Sequence, residues 1–386
     1  MLSALLSRRT PDGGLIREID GLRFFAILFV LLAHAGGIVS KRWYEQFGAV
    51  EPRLDVEALH AVMFQGKFGV FIFFAISGFI LALPWLSAAR DGRPAPAVRP
   101  FYRRRLTRLE PLYVFCLVTY FVLLTSLGRL SLIDDFDNLF FSLLYMHNAV
   151  YGVGSTIYLA AWSLEVEFQF YLLAPFLFAA LTQMAIPRRR LALAAAIIFS
   201  CAVSDVTNSW FDSVLSYLHF FLIGALFADI FIENPDWLRR HQRAFEIAAI
   251  ALLLLALTQL SWDHGRPWSM FGYVACIGAM IGAALSGGVA TALLRVPALI
   301  IIGGMCYSLY LTHARVFTGL EQFAIDWTLL SGVYVADMII VSSLMIAPAL
   351  IVGALIFIAI EKPTMDPRWP SRLRAWASRL TRRPVR

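Results

Sequence analysis

Uninterrupted apolar stretches of membrane-spanning length recur from one end of this chain to the other, and they constrain its fold more than any other feature. In a bilayer every backbone N–H and C=O must find a partner within the protein, so only helices or closed barrels can cross. The stretches are continuously apolar and do not alternate, which excludes the barrel. Mean hydropathy is +0.70, and 59% hydrophobic against 15% charged residues rule out an ordinary water-soluble domain. The predicted class is an all-α polytopic membrane protein with about ten transmembrane helices, at 22–39, 68–87, 112–128, 157–181, 191–207, 214–232, 245–261, 270–290, 299–317 and 333–360. A lead (1–21), a transmembrane domain (17–360) and a basic amphipathic tail (361–386) complete the expected organisation.

The charges orient this arrangement. Of 33 Lys and Arg residues, 25 fall in segments on the side of the N-terminus and six in segments on the other, so both termini are expected in the cytoplasm. The net charge of +7 thus reflects orientation in an inner (cytoplasmic) membrane and not nucleic-acid binding. Segment 139–153 is too short and too polar at its end to span; crossing there would expose Arg188, Arg189 and Arg190 on the wrong side. It is expected to be re-entrant or surface-lying, with His147 and Asn148 facing water. In the tail, Trp369, Leu373, Trp376 and Leu380 recur at helical spacing among arginines, the pattern of a helix lying on anionic membrane lipids. Cys116, Cys201, Cys276 and Cys306 lie singly in apolar segments, so neither a disulfide framework nor a metal site is expected.

The first span carries the most informative polar residues. In REIDGLRFFAILFVLLAHAGG (17–37), His34 sits twelve residues past Leu22, about 18 Å into the membrane. An ionisable group at that depth is a functional candidate, which disfavours reading Ala33-His34-Ala35 as a cleavage site of a disposable leader. Arg23 and His34 are eleven residues apart, which puts both side chains on one helix face about 16 Å apart along the axis. They can hold the two ends of one long ligand. Depth counting brings Ser77 in FFAISGF and Glu167 in WSLEVEFQF to the level of His34, while Tyr307, Ser308, Tyr310 and His313 form a polar stripe in the ninth span. His313 is placed at the outer mouth. Glu165 points elsewhere than Glu167 and reads as structural. Arg105 and Arg108, three apart on a helix, suit a phosphate clamp. No G-x-S-x-G elbow, P-loop or G-x-G-x-x-G is present, so a serine hydrolase is unsupported and a nucleotide would be held by charge.

Five motifs in order resemble the membrane acyltransferase-3 family, the O-acetyltransferases of lipopolysaccharide, exopolysaccharide, peptidoglycan and some antibiotics. They are IDGLR with Arg23 and His34, FFAISGF with Ser77, RRLTRLEPLY with Arg105 and Arg108, WSLEVEFQFYLLAP with Trp162, Ser163, Glu167 and Tyr171, and YSLYLTH with Tyr307, Tyr310 and His313. The resemblance covers about residues 17–315 and corresponds to a form lacking an appended esterase domain. It departs at Ala314-Arg315, where relatives often carry an aromatic residue and proline.

The resemblance implies acetyl-CoA, or another acyl-CoA, as donor and a carbohydrate or glycosylated small molecule as acceptor, with no metal. Within it, His34 is the expected general base, Glu167 is expected to orient either the imidazole or the acceptor, and Ser77 is an expected oxyanion donor. Arg23, Arg105 and Arg108 are expected to hold the donor, and Trp162, Ser163, Tyr171, Tyr307, Tyr310 and His313 to bind substrate. Two rivals are a proton-coupled transporter or flippase, in which the buried His34 and Glu167 relay protons, and a lipid-binding scaffold.

Overall fold

The computed structural model describes residues 6, 16–51, 53–207, 212–259, 267–366 and 368–371, and no strand occurs among them. The long helices are α1 (Arg17–Phe47), α2 (Gly66–Arg90), α3 (Val98–Ser126), α4 (Trp162–Thr182), α5 (Ile186–Thr207), α6 (Val214–Glu233), α7 (Gln242–Gln259), α8 (Pro267–Leu285), α9 (Pro297–Gly304), α10 (Cys306–Phe323) and α11 (Tyr334–Ile356). Among the described residues, six helices are long and apolar enough to cross a membrane: α1, α2, α3, α4, α6 and α11. A seventh span forms if α9 and α10, bent by 71° at Met305, count as one. The expectation of ten also counted α5, α7 and α8; in α8 the apolar helix Ser269–Leu285 is shorter than the spanning helices.

α1 shows why the sequence folds as it does. Glu18 and Asp20 occupy its first turn, where they favour the positive end of the helix dipole. Gly48, at φ +81°, ends the helix in a conformation that glycine tolerates, its N–H returning to the Tyr44 carbonyl at 3.0 Å. Between them Ile19, Leu22, Ala26, Val30 and Ala35 recur at steps of three to five and are all buried.

α2 and α6 form the central crossing. A Cβ on Gly78 would overlap the Phe221 carbonyl oxygen, and one on Gly224 would overlap that of Ala75. The two backbones touch at this reciprocal pair of glycines, as small residues permit in membrane helix packing. Stacked rings flank the contact: Phe74 on Phe221 at 4.7 Å, Phe170 on Phe221 at 4.1 Å and Phe71 on Phe220 at 4.1 Å. The crossing fixes the face of α2 that carries Ser77. At one end of α6, buried Asp229 pairs with Arg189 and, at 2.6 Å, with Arg190, so two of the three arginines read as orientation signals also tie α5 to α6.

One expectation is corrected. Segment 139–153 folds as the short helices Phe136–Leu143 and His147–Tyr151, with His147 and Asn148 buried and not facing water. His147 donates from Nδ1 to the Val153 carbonyl at 3.1 Å and meets the Asn138 side-chain oxygen through Nε2 at 2.9 Å. Burial holds its pKa below the ordinary histidine value. The Asn148 N–H donates to Glu165 at 2.9 Å. In the tail, Trp369 donates to the Thr107 carbonyl at 2.8 Å and so is tied to α3; Leu373, Trp376 and Leu380 lie outside the described residues, as does most of the 1–21 lead.

Candidate active site

Two adjoining cavities hold nearly all the polar residues singled out in the sequence. The first, of about 110 Å³, is lined by Arg23, Ser77, Arg105, Arg108, Ser163, Glu167, Tyr171, Tyr307 and Tyr310. The second, of about 480 Å³, is lined by His34, Lys67, Tyr158, Trp162, Tyr310 and Arg315. Val70 and Tyr310 belong to both linings, so these two side chains form the wall between the cavities.

The first cavity is set by α1, α2, α3, α4 and α10. Arg23 pairs with Asp20 one turn earlier on α1. Arg105 and Arg108 face the same space from α3, and neither has a carboxylate in ion-pair range among the described residues. Arg105 instead lies over the ring of Tyr171, 5.9 Å from its centre, and the buried Arg108 Nε has no partner among the described residues. A buried cation left unpaired is costly unless an anion completes it, so this group is suited to a phosphate or another oxyanion. Opposite, Glu167 accepts hydrogen bonds from the hydroxyls of Ser77 and Tyr171, the latter at 2.5 Å.

The second cavity is built around a pair of imidazoles. His34, exposed to the cavity, lies against the fully buried His313 of α10 with near-parallel rings (6° apart). His34 Nδ1 and His313 Nε2 are 2.7 Å apart. The hydrogens follow from the partners. His313 Nδ1 is 3.0 Å from the Leu309 carbonyl, which can only accept, so Nδ1 carries the proton. With neutral rings, His313 Nε2 then accepts from His34 Nδ1–H, and the lone pair on His34 resides on Nε2. The arrangement leaves a ring at the cavity surface able to take a proton, its tautomer fixed from behind.

The structure thus redistributes the expected site. Arg23, Arg105, Arg108, Ser77, Ser163, Glu167, Tyr171, Tyr307 and Tyr310 come together, while His34 and Trp162 line the neighbouring space. His313, expected at the outer mouth, is fully buried and stands behind His34, in the first of the two places considered for Glu167. Ser77 gives its hydrogen to Glu167, so an oxyanion role would require that bond to be released. Tyr307 donates to the Leu109 carbonyl at 3.0 Å, joining α10 to α3. Tyr310 donates to the Ala160 carbonyl at 3.0 Å and sits 2.7 Å from the Ser163 hydroxyl, which holds the dividing wall in place.

Three residues escaped the sequence reading. Glu361 lines the arginine cavity from a π-helical turn (Phe357–Glu361) and accepts from the Ser308 backbone N–H at 3.0 Å and its hydroxyl at 2.5 Å; in the sequence it looks like the first residue of the tail. Cys306, half-buried, also lines that cavity, whereas Cys116, Cys201 and Cys276 are buried as expected. Arg315 had been noted only as a departure from the family pattern, yet it lines the cavity of His34. Among the described residues no cluster of three or more His, Cys, Asp or Glu side chains is placed to bind a metal.

The described residues thus form a helical, multi-pass membrane scaffold that sets an arginine cavity against a histidine cavity. A family model described as "Acyltransferase domain" matches residues 16–360, and the chain belongs to this acyltransferase-3 family. It is similar to the acyltransferase MdmB of Streptomyces mycarofaciens, 26% identical over 392 residues covering 90% of this chain and 91% of that protein. It is also similar to the O-acetyltransferase OatA of Staphylococcus aureus, 23% identical over 352 residues, 83% of this chain but 54% of OatA. A third relative, Protein 2 in picA locus of Rhizobium radiobacter, is 34% identical over 137 residues, 35% of this chain and 59% of that protein. No solved structure matches. These comparisons make the protein an O-acyltransferase of the membrane and lend no support to the transporter or scaffold readings.

Proposed function

We propose that this enzyme moves an acetyl group from acetyl-CoA to a hydroxyl of a carbohydrate or glycosylated acceptor, across the wall between its two cavities. The single observation that carries this reading is the adjacency itself: unpaired arginines on one side of Tyr310 and Val70, a poised imidazole on the other.

The donor enters from the cytosol of a cell whose inner membrane holds the protein. Arg105 and Arg108, with Arg23 beside them, hold the phosphates of CoA by charge-assisted hydrogen bonds. The pantetheine arm follows α1, along which Arg23 and His34 lie about 16 Å apart, and brings the thioester to the wall. The acceptor occupies the cavity of His34. His34 Nε2 takes the proton of the acceptor hydroxyl as its oxygen attacks the thioester carbonyl. The tetrahedral intermediate collapses with loss of the C–S bond, and the proton passes from the imidazolium to the departing thiolate. His313 positions His34 and stabilises its charged form through the Nδ1–H bond, the part a carboxylate plays in a hydrolytic triad.

The reading is tested with membrane vesicles containing the protein, labelled acetyl-CoA and a panel of saccharides. Transfer of label to an acceptor hydroxyl is expected, with His34→Ala lowering turnover by about 10²- to 10⁴-fold, the usual contribution of a general base. Normal transfer by His34→Ala would overturn the mechanism.

A further inference from the structure

The charged side chains that line the acceptor cavity, Lys67 and Arg315, are both cations. His34, Lys67 and Arg315 line it together with Tyr158 and Tyr310, and no Asp or Glu is among the lining residues. Lys67 has the charge of Asp212 within range, which offsets part of its own. Arg315 has no such offset. It is half-buried on α10, two residues past His313, and no Asp or Glu lies in ion-pair range among the described residues. One terminal nitrogen donates to the Ile157 carbonyl, its guanidinium lies 5.5 Å from the centre of the Tyr120 ring, and its buried Nε has no partner among the described residues. These contacts fix the group in place but leave its charge uncompensated in a low-dielectric setting, where an isolated cation is expensive. The cheapest compensation is an anion delivered by the ligand, to which a guanidinium offers short, directional hydrogen bonds. The cavity volume of about 480 Å³ falls within the roughly 300–1,000 Å³ usual for ligand pockets.

Resting on the acyl-transfer reading above, we propose that the acceptor is an acidic saccharide whose carboxylate or phosphate is bound by Arg315, which places a hydroxyl of the same molecule at His34. Arg315 is then a specificity-determining residue two positions past His313.

The test compares three acceptors in vesicles of phosphatidylcholine with labelled acetyl-CoA: an oligosaccharide carrying one glucuronate, the same oligosaccharide with that carboxyl as the uncharged carboxamide, and one carrying a phosphate monoester. The expected result is that one or both acids are used about tenfold or more better than the carboxamide in kcat/KM. Which acid is preferred identifies the anion. Arg315→Gln is expected to collapse the acid-to-carboxamide ratio toward one, and Arg315→Lys to keep most of it. Because the readout is a ratio within one preparation, partial loss of folded protein does not change it. Equal use of acids and carboxamide by the wild-type chain overturns the charge proposal while leaving acyl transfer intact. An unchanged ratio in Arg315→Gln overturns it as well. A preference seen only when phosphatidylglycerol is added assigns the anion to lipid headgroups and also overturns it. No label on any acceptor, with acetyl-CoA left whole, overturns the acyl-transfer reading and this proposal with it.

Discussion

His313→Leu isolates what the second imidazole does. Leucine fills much of the same space but accepts no hydrogen bond, so His34 Nδ1–H, now 2.7 Å from His313 Nε2, is left without a partner. An unsatisfied polar group of this kind costs about 1–3 kcal/mol. If that cost falls on the imidazolium-bearing transition state, turnover drops roughly 5- to 150-fold, at 1.36 kcal/mol per decade. His313→Gln retains a side-chain carbonyl able to accept and is expected to recover part of the loss. The decisive measurement is a double-mutant cycle on kcat, using labelled acetyl-CoA and vesicles normalised for folded protein. If His313 acts only through His34, adding His313→Leu to His34→Ala costs nothing further, because groups that work as a unit are not additive. A full second loss in the His34→Ala background would mean that His313 works independently, and the positioning argument would fail. Full activity of His313→Leu alone would refute it more directly.

Other outcomes follow from the same geometry. Arg105→Ala and Arg108→Ala are each expected to raise the KM for acetyl-CoA by roughly 10- to 150-fold, the equivalent of one charge-assisted hydrogen bond (about 1.5–3 kcal/mol), with kcat little changed; titration of initial rates against donor checks this. Gly78→Ala forces a methyl group onto the Phe221 carbonyl oxygen, and an overpacking cost of about 1–3 kcal/mol should appear as a lower melting temperature in detergent. His147 is held below the ordinary histidine pKa by burial, so the unfolded chain binds more protons than the folded one as pH falls. Its contribution is therefore intact above about pH 6.5 and lost progressively below it, and His147→Gln should flatten the melting temperature between pH 7.5 and 5.5.

The helical, membrane-crossing character was legible because each span is a long run of one kind of residue, and α1, α2 and α4 begin within about six residues of their expected limits. The residues of the site were legible for the same reason, since a histidine, serine or glutamate stands out against phenylalanine and leucine. Their pairings were not. Counting depth placed His34, Ser77 and Glu167 on one level, but depth says nothing of azimuth around the bundle, and azimuth decides that Glu167 meets Ser77 and Tyr171 while His34 meets His313. The burial of His147 and Asn148 depended on Asn138, Val153 and Glu165, whose arrangement no local periodicity announces. Glu361 was hidden by its place at a boundary, where an acid before a basic tail reads as surface until Ser308 is found against it.

The wall formed by Val70 and Tyr310 has a consequence for the cell as a whole. On the reading proposed above, it stands between a cavity open to the donor and one open to the acceptor, so the same two side chains also help keep ions and protons from leaking down their gradients. An opening wide enough for a two-carbon fragment but too narrow for a file of water would satisfy both demands. The size of the group transferred would then be capped by the need to keep the membrane electrically tight.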